Sequence, residues 1–385
     1  MNYKPLFFIL SIFFAGFFTR DSFSAQANAL RKGERKLPIQ VDDPLFRVQW
    51  ALSNSGQIIS PLPNPKTGPS GKRNADIRAS SAWALQTDCS SVLVGVMDTG
   101  IDFSHDELTS NVKLEMGTNT LNPGSDFFDQ LGHGTHVSGI IGALGNNKLG
   151  ISGICWKASI VPIKVCDDQG GCPESSILEG FAYAESLASR GLRVVNTSLG
   201  GFYPIQFNLD DPDDRWLADE LSQQAQAIRR MDQAGILLAA AAGNNLWNND
   251  DSMYRVFPAS HPIPNVISVA ATDPRDRLDA NYSNYGPTTV HIAAPGSLIF
   301  STLPAYIYGR PTGGYGLLTG TSMATPHVTA AVALLMSYRP SLTHIEVKSA
   351  ILKFSDRLAN LKGKVISGAR LNLHRVLQYA DSIQK

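Results

Sequence analysis

Five short stretches of nearly uninterrupted apolar residues recur along the chain, at 91–97 (SVLVGVM), 160–165, 194–196, 236–241 and 266–270. Each is too short for a buried helix and lacks the polar–apolar alternation of a strand with one wet face. Each therefore reads as a strand covered on both sides. Helical stretches separate several of them, at 175–189 and 218–233 for example. Strands alternating with helices argue for an α/β fold: a mainly parallel, twisted sheet with helices on both faces, in three layers. In such a sheet reactive groups sit in loops just past the carboxyl ends of the strands. The composition agrees. Of 385 residues, 43% are hydrophobic and 17% charged, where about 25% charged is usual, which suits a well-filled core and not a disordered chain. Lys plus Arg and Asp plus Glu number 33 each, so the formal net charge is zero. The basic excess of a nucleic-acid binder is missing.

The first apolar run, residues 5–18, follows Lys4 and falls short of the roughly 20 residues a membrane span takes. Behind it, Ala25-Gln26-Ala27 is a small-x-small cleavage pattern, so residues 1–27 read as a secretory signal peptide and not as a membrane anchor. The alternative, a buried N-terminal helix, would have to pack the seven phenylalanines that precede residue 24. A short polar linker, 28–42, comes next, and 43–385 shows no low-complexity break. An exported, soluble, monomeric protein is expected. Cys89, Cys155, Cys166 and Cys172 fit an oxidising compartment and allow three pairings. The loop between Cys166 and Cys172 contains two glycines and closes easily, which leaves Cys89 for Cys155. Zinc is the rival, but no Cys-x-x-Cys or matching histidine cluster supports it.

Three stretches carry chemistry. Asp98-Thr99-Gly100 directly follows the first strand, which places a carboxylate at a sheet end. Aspartic peptidases show the same tripeptide, but they need two carboxylates sharing a proton, and no second copy occurs here. Gly132-His133-Gly134-Thr135-His136 sets two histidines among small residues. A zinc peptidase would have His-Glu-x-x-His, so one histidine reads as a base and the other as packing. In Gly320-Thr321-Ser322-Met323-Ala324-Thr325-Pro326-His327 a serine opens an apolar helix. An N-cap is the plain reading. Against it, Pro326 removes a backbone donor inside the early turns, and local rules are broken this way more often at functional sites.

Together, and in the order Asp, His, Ser, these stretches resemble the subtilase family of serine peptidases, over residues 43–377. The resemblance implies a subtilisin-like α/β domain at 43–385 and a secreted endopeptidase that cuts peptide bonds through an acyl-enzyme. It assigns Asp98, His133 and Ser322 to the charge relay and leaves His136 structural. The segment ending in Asn244 resembles the family's oxyanion motif, so the Asn244 side chain and the Ser322 backbone N–H are the implied donors. Ser198, Leu199 and Gly200 fall in the edge that pairs with an extended substrate. Gly170 and Gly171 belong to the facing edge, 169–174, and Gly243 joins them as a substrate contact.

The same resemblance implies structural calcium, held by Asp43, Glu107 and the loop positions Gly145, Asn147, Leu149 and Ile151. Glu107 stands where an aspartate is typical, which keeps the carboxylate and adds one methylene. The family's usual inhibitory N-terminal domain finds no room between residues 27 and 43. The runner-up is an exported, catalytically silent binding protein on the same fold, but every catalytic position is intact.

Overall fold

The first apolar run becomes β1 (Asp88–Asp98). Along the chain follow β2 (Thr118–Asn119), β3 (Lys157–Lys164), β4 (Leu192–Thr197), β5 (Gly201–Pro204), β6 (Leu237–Ala241) and β7 (Tyr254–Phe257). Then come β8 (Val266–Thr272), β9 (Ile292–Pro295), β10 (Ile299–Leu303), β11 (Gly314–Leu318), β12 (Asp356–Arg357) and β13 (Ala369–Arg370). The computed structural model describes residues 39–60, 67–251, 253–308 and 314–382. The expected signal peptide, and the linker up to residue 38, lie outside these. Pro38–Lys385 forms one compact unit.

Nine of the described strands make one sheet in the order β12-β13-β9-β8-β6-β4-β1-β3-β2. Every pairing in it is parallel except that of β12 with β13. The helices are α1 (Ala79–Ala82), α2 (His133–Gly142), α3 (Glu174–Ser186), α4 (Pro212–Gln233), α5 (Thr321–Tyr338), α6 (His344–Phe354) and α7 (Leu373–Ser382). Successive side chains of a strand point to opposite faces, and in β1 both faces are apolar. Val94 and Val96 join the core shared with α2, α5, α6 and α7. Leu93 and Met97 join the core under α3 and α4. The mainly parallel three-layer α/β sandwich is thus present, and the missing alternation in the apolar runs is its cause.

Two helices differ from the sequence expectation: α3 ends at Ser186, short of the expected 189, and α4 begins early. α4 starts at Pro212, six residues before the expected 218, because Pro212, Asp213 and Asp214 form its first turn. Asp211 caps it by accepting the Asp213 N–H at 2.9 Å, with Pro212 behind it and Asp213 and Asp214 in the opening turn. Proline needs no donor there, and acidic side chains favour the positive end of a helix. Both expected disulfides are present, Cys89–Cys155 and Cys166–Cys172. Among the described residues no helix is long and apolar enough to cross a membrane.

Candidate active site

Three adjacent strands, β1, β4 and β6, deliver their carboxyl ends to one place. Asp98 ends β1, Ser198 follows β4, and Asn244 lies three residues past β6. Asp98 is 2% exposed and its Oδ1 lies 2.7 Å from His133 Nδ1. The same oxygen accepts the Thr99 N–H at 2.8 Å. Helix α2 can approach this closely because Gly134 has no side chain: a Cβ there would stand 2.1 Å from the Gly100 carbonyl oxygen. Asp129, fully buried, holds the turn into α2. Its Oδ1 accepts from Gly132 N at 2.8 Å and from the Thr99 hydroxyl at 2.8 Å, and its Oδ2 accepts from Thr135 N at 2.8 Å. Burial works against a charged His133 ring, but the Asp98 charge and hydrogen bond outweigh it, with a further pull from Asp129, so its pKa lies above the usual 6.5. His136 is buried and its Nε2 lies 3.0 Å from the Ile299 carbonyl oxygen. Burial, with repulsion from His133, pushes its pKa down to about 3, so this ring stays neutral and ties α2 to β10.

Ser322 is the second residue of α5. Its hydroxyl donates to the Ser198 carbonyl oxygen at 2.9 Å, and the Ser198 hydroxyl returns a bond to the Ser322 carbonyl oxygen at 2.7 Å. Pro326 explains why that carbonyl is open. It stands four residues on, where a backbone N–H would otherwise bond the Ser322 oxygen, and proline has none. The Asn196 amide donates to the Ser198 hydroxyl at 2.9 Å and accepts from the Thr329 hydroxyl at 2.8 Å. A chain of hydrogen bonds therefore fixes the serine to the sheet.

Asn244 is oriented by its neighbour. Its Oδ1 accepts both the N–H and the hydroxyl of Thr321, each at 2.9 Å, which turns its NH2 group outward. A Cβ at Gly320 would stand 3.4 Å from Asn244 Nδ2 and 3.7 Å from Ser322 N, so the two donors flank one small space beside Gly320. Gly243, at φ +110°, needs its glycine: a Cβ would meet Asn284 Nδ2 at 2.5 Å. Asn284, fully buried, accepts from Asn245 N at 2.8 Å and from Trp247 N at 3.0 Å.

The two expected substrate edges make different contacts. Ser198 touches Ser322 directly, and Leu199 packs against the core under α3. In the bridged loop Gly171 donates its N–H to Asp167 Oδ1 at 2.8 Å and accepts the Asp167 N–H at 2.8 Å. Gly170, at φ +86°, donates to the Asp167 carbonyl oxygen at 3.1 Å. In this form the bridged loop is closed on itself, and Gly171 offers neither of its polar backbone groups to an incoming chain. Sequence reasoning missed Asp129 and Asn284, and it placed Thr321 and Asn196 in the serine and edge stretches without assigning them a role. Asp129 carried a faint signal, an acidic residue just before a helix. The contacts of the other three cross large sequence gaps, and no local pattern signals them.

Asp43 and Glu107 also come together, away from the serine. Asp43 accepts the N–H groups of Asn146 at 2.8 Å, Asn147 at 2.8 Å and Lys148 at 3.1 Å, and also the Ser152 hydroxyl. Glu107 accepts from Asn147 Nδ2 at 3.0 Å, Ile151 N at 2.9 Å and the Tyr315 hydroxyl at 3.1 Å. Burial, reinforced by the nearby Asp43 charge, pushes the Glu107 carboxyl up. The Asn147 side-chain carbonyl accepts the Leu149 N–H at 2.9 Å. Gly145 begins this loop, and its hydrogen would be replaced by a Cβ only 2.1 Å from the Trp156 ring. Among the described residues no group of three or more His, Cys, Asp or Glu side chains gathers as a metal site.

A histidine on a buried carboxylate, with a serine at the amino end of a helix and an amide beside it, is the serine-peptidase type of site on an α/β frame. The chain belongs to the subtilase family, whose model matches residues 90–368. It is 33% identical over 320 residues to the cell wall-associated protease of Bacillus subtilis, covering 83% of this chain and 30% of that protein. Thermitase of Thermoactinomyces vulgaris is 33% identical over 305 residues, covering 79% of this chain and 94% of that protein. Among solved structures, a protease of Pseudoalteromonas arctica superposes with a TM-score of 0.68 at 25% identity, covering 89% of this chain and 100% of that one. The chain thus spans less than a third of the length of the Bacillus relative and nearly all of thermitase.

Proposed function

We propose that the protein is a secreted serine endopeptidase acting on extended peptides through Asp98, His133 and Ser322. The observation that carries this reading is the convergence of Asn244 Nδ2 and Ser322 N beside Gly320, on the frame that also holds the His133–Asp98 pair. Ser322 Oγ leaves the Ser198 carbonyl, gives its proton to His133 Nε2 and attacks the peptide carbonyl carbon. Asp98 keeps the other ring nitrogen protonated and stabilises the imidazolium. The carbonyl oxygen, now negative, takes hydrogen bonds from Asn244 and the Ser322 N–H. His133 then hands its proton to the leaving amine, and water repeats the cycle on the acyl ester. Such catalytic hydrogen bonds often form only with substrate in place, which accommodates the Ser322–Ser198 contact. The signal pattern at residues 1–27 and the two disulfides support export.

Members of this family commonly bind calcium, and the Asp43–Glu107 pair fits one. Two buried carboxylates lie together with neutral donors as their described partners, and buried charges call for a counter-charge. Glu107, Asp43, the Asn147 side chain and backbone oxygens of Gly145, Leu149 and Ile151 would hold the ion, whose role is structural.

A serine-directed fluorophosphonate tests the catalytic reading. It should label Ser322 alone, and Ser322→Ala should lose both labelling and peptidase activity while keeping the native circular dichroism spectrum. An unlabelled, folded wild-type protein would instead support the silent binding protein.

A further inference from the structure

The carboxylate of Asp98 is held through one oxygen. Its Oδ1 meets His133 Nδ1 and the Thr99 N–H, while Oδ2 is buried and has no hydrogen-bond partner among the described residues. The direction in which Oδ1 points therefore depends on where Thr99 holds its N–H. Every polar group of Thr99 is in use. Its hydroxyl donates to Asp129 Oδ1 at 2.8 Å and accepts the Gly134 N–H at 3.0 Å. Its carbonyl oxygen accepts from Lys164 Nζ at 2.5 Å.

Lys164 ends β3, and in the parallel pairing of β1 with β3 it is the register partner of Asp98 itself. Register partners present their side chains to the same face of a sheet, which lets the lysine reach the turn after Asp98. Its side chain is only 8% exposed. A buried cation needs a counter-charge, and Asp168 supplies it, with Oδ1 at 2.9 Å from Nζ. Asp168 belongs to the loop closed by Cys166 and Cys172. The main chain joins the start of that loop to Asp98 as well. The Asp98 carbonyl oxygen accepts the N–H groups of Val165 at 3.0 Å and Cys166 at 3.2 Å. That carbonyl shares a rigid peptide plane with the Thr99 N–H. The two planes flanking Thr99 are thus both fixed from the end of β3, the first by Val165 and Cys166 and the second by Lys164.

We propose that Lys164, anchored by Asp168, is a positioning residue for the Asp98–His133 pair: it braces the Thr99 carbonyl so that the Thr99 N–H keeps Asp98 Oδ1 aimed at the imidazole. The proposal rests on the serine-endopeptidase reading and adds to it a residue that touches neither substrate nor the reacting atoms. The brace matters because the imidazolium forms and disappears in every cycle, and Asp98 must meet it from a fixed position. A lysine that only closed the end of β3 would support the fold and leave the geometry of the pair alone.

The test separates positioning from plain stability. Lys164→Met keeps the apolar stem and removes the ammonium, which leaves the Thr99 carbonyl free. On a short peptide it should lower kcat roughly tenfold or more at nearly constant KM, within the about 10²-fold that a misplacement of about 1 Å can cost. Proton NMR with His133 protonated gives a second readout. The far-downfield signal of the His133 Nδ1 proton should be present in wild-type protein and weakened or lost in Lys164→Met. Lys164→Arg, which can donate to both acceptors, should recover most of the rate and of the signal. Asp168→Ala, at a side chain 42% exposed, should move both readouts the same way by a smaller amount. It decides the case if Lys164→Met does not fold. An unchanged kcat in the folded variant, whatever its Tm, overturns the brace, as does an unchanged downfield signal. So does a rise in KM alone, which would place Lys164 with the substrate edge. If wild-type protein is labelled by the fluorophosphonate, only the brace has failed; if it is not, the enzymatic reading has failed as well.

Discussion

At His133 two electrostatic effects oppose each other, and their balance sets a pH dependence. Burial disfavours the imidazolium, while Asp98 at 2.7 Å and the more distant Asp129 favour it more strongly, so the folded pKa lies above 6.5. Proton binding there stabilises the fold below pH 6.5, and that contribution is lost as pH rises through the folded pKa. Activity runs the other way, because only the neutral ring accepts the serine proton. The acid limb of kcat/KM should therefore have its midpoint above 6.5, and a pH–rate profile with a midpoint at or below that value contradicts the assignment. Asn244→Ala should lower kcat roughly 10²–10³-fold with little change in KM, a size known for one such donor in a subtilisin and not obtained from this geometry. Steady-state kinetics on the two proteins decide it. Local motifs single out Asp98, His133, Ser322 and Asn244 by family resemblance, and the fold brings Asp98 to His133 and Asn244 beside the Ser322 N–H. Asp129 and Thr321, which orient them, look like ordinary loop and helix residues until the contacts are seen.

Among the elements, the bridged loop 166–172 shows how local covalent order meets recognition. The sequence spacing made its disulfide an easy expectation. The inward turn of Gly171 toward Asp167 was not legible, because it depends on the side chain of one aspartate capturing two N–H groups, those of Gln169 and Gly171. If this loop forms one wall of the cleft, Cys166→Ser/Cys172→Ser frees it and adds an ordering cost on binding of ~0.5–1.5 kcal/mol for each group immobilised. KM should rise more for long peptides than for short ones, as measured on a length series. An equal rise across the series removes the loop from the binding edge. Helix α4 teaches a related lesson. Pro212 and its aspartates resemble a loop by composition, yet they are good helix openers once Asp211 caps the turn.

For the whole molecule, the Asp43–Glu107 contact ties the start of the described chain to the loop after α2, and this is where calcium would act. An ion bound only by the folded form stabilises it by mass action, about 2.7 kcal/mol at a free concentration 100-fold above Kd. Excess chelator should lower Tm, and added calcium should restore it; an unchanged Tm with no metal by elemental analysis removes the ion and leaves the hydrogen bonds as the clasp. The sequence by itself determined the parallel α/β sandwich, since strands apolar on both faces have no other stable home. It also singled out the candidate active-site residues, through local motifs, and the cysteine pairing, through short loop closure. Tertiary structure alone decided which groups orient those residues. Asn196 to Thr329, Asn244 to Thr321 and Phe202 beside Trp247 are contacts between chain segments brought together only by the sheet order. A hydrogen bond or ring contact across such separations leaves no periodicity in the sequence, because its geometry is set by the packing of strands and helices and not by the neighbours of either residue.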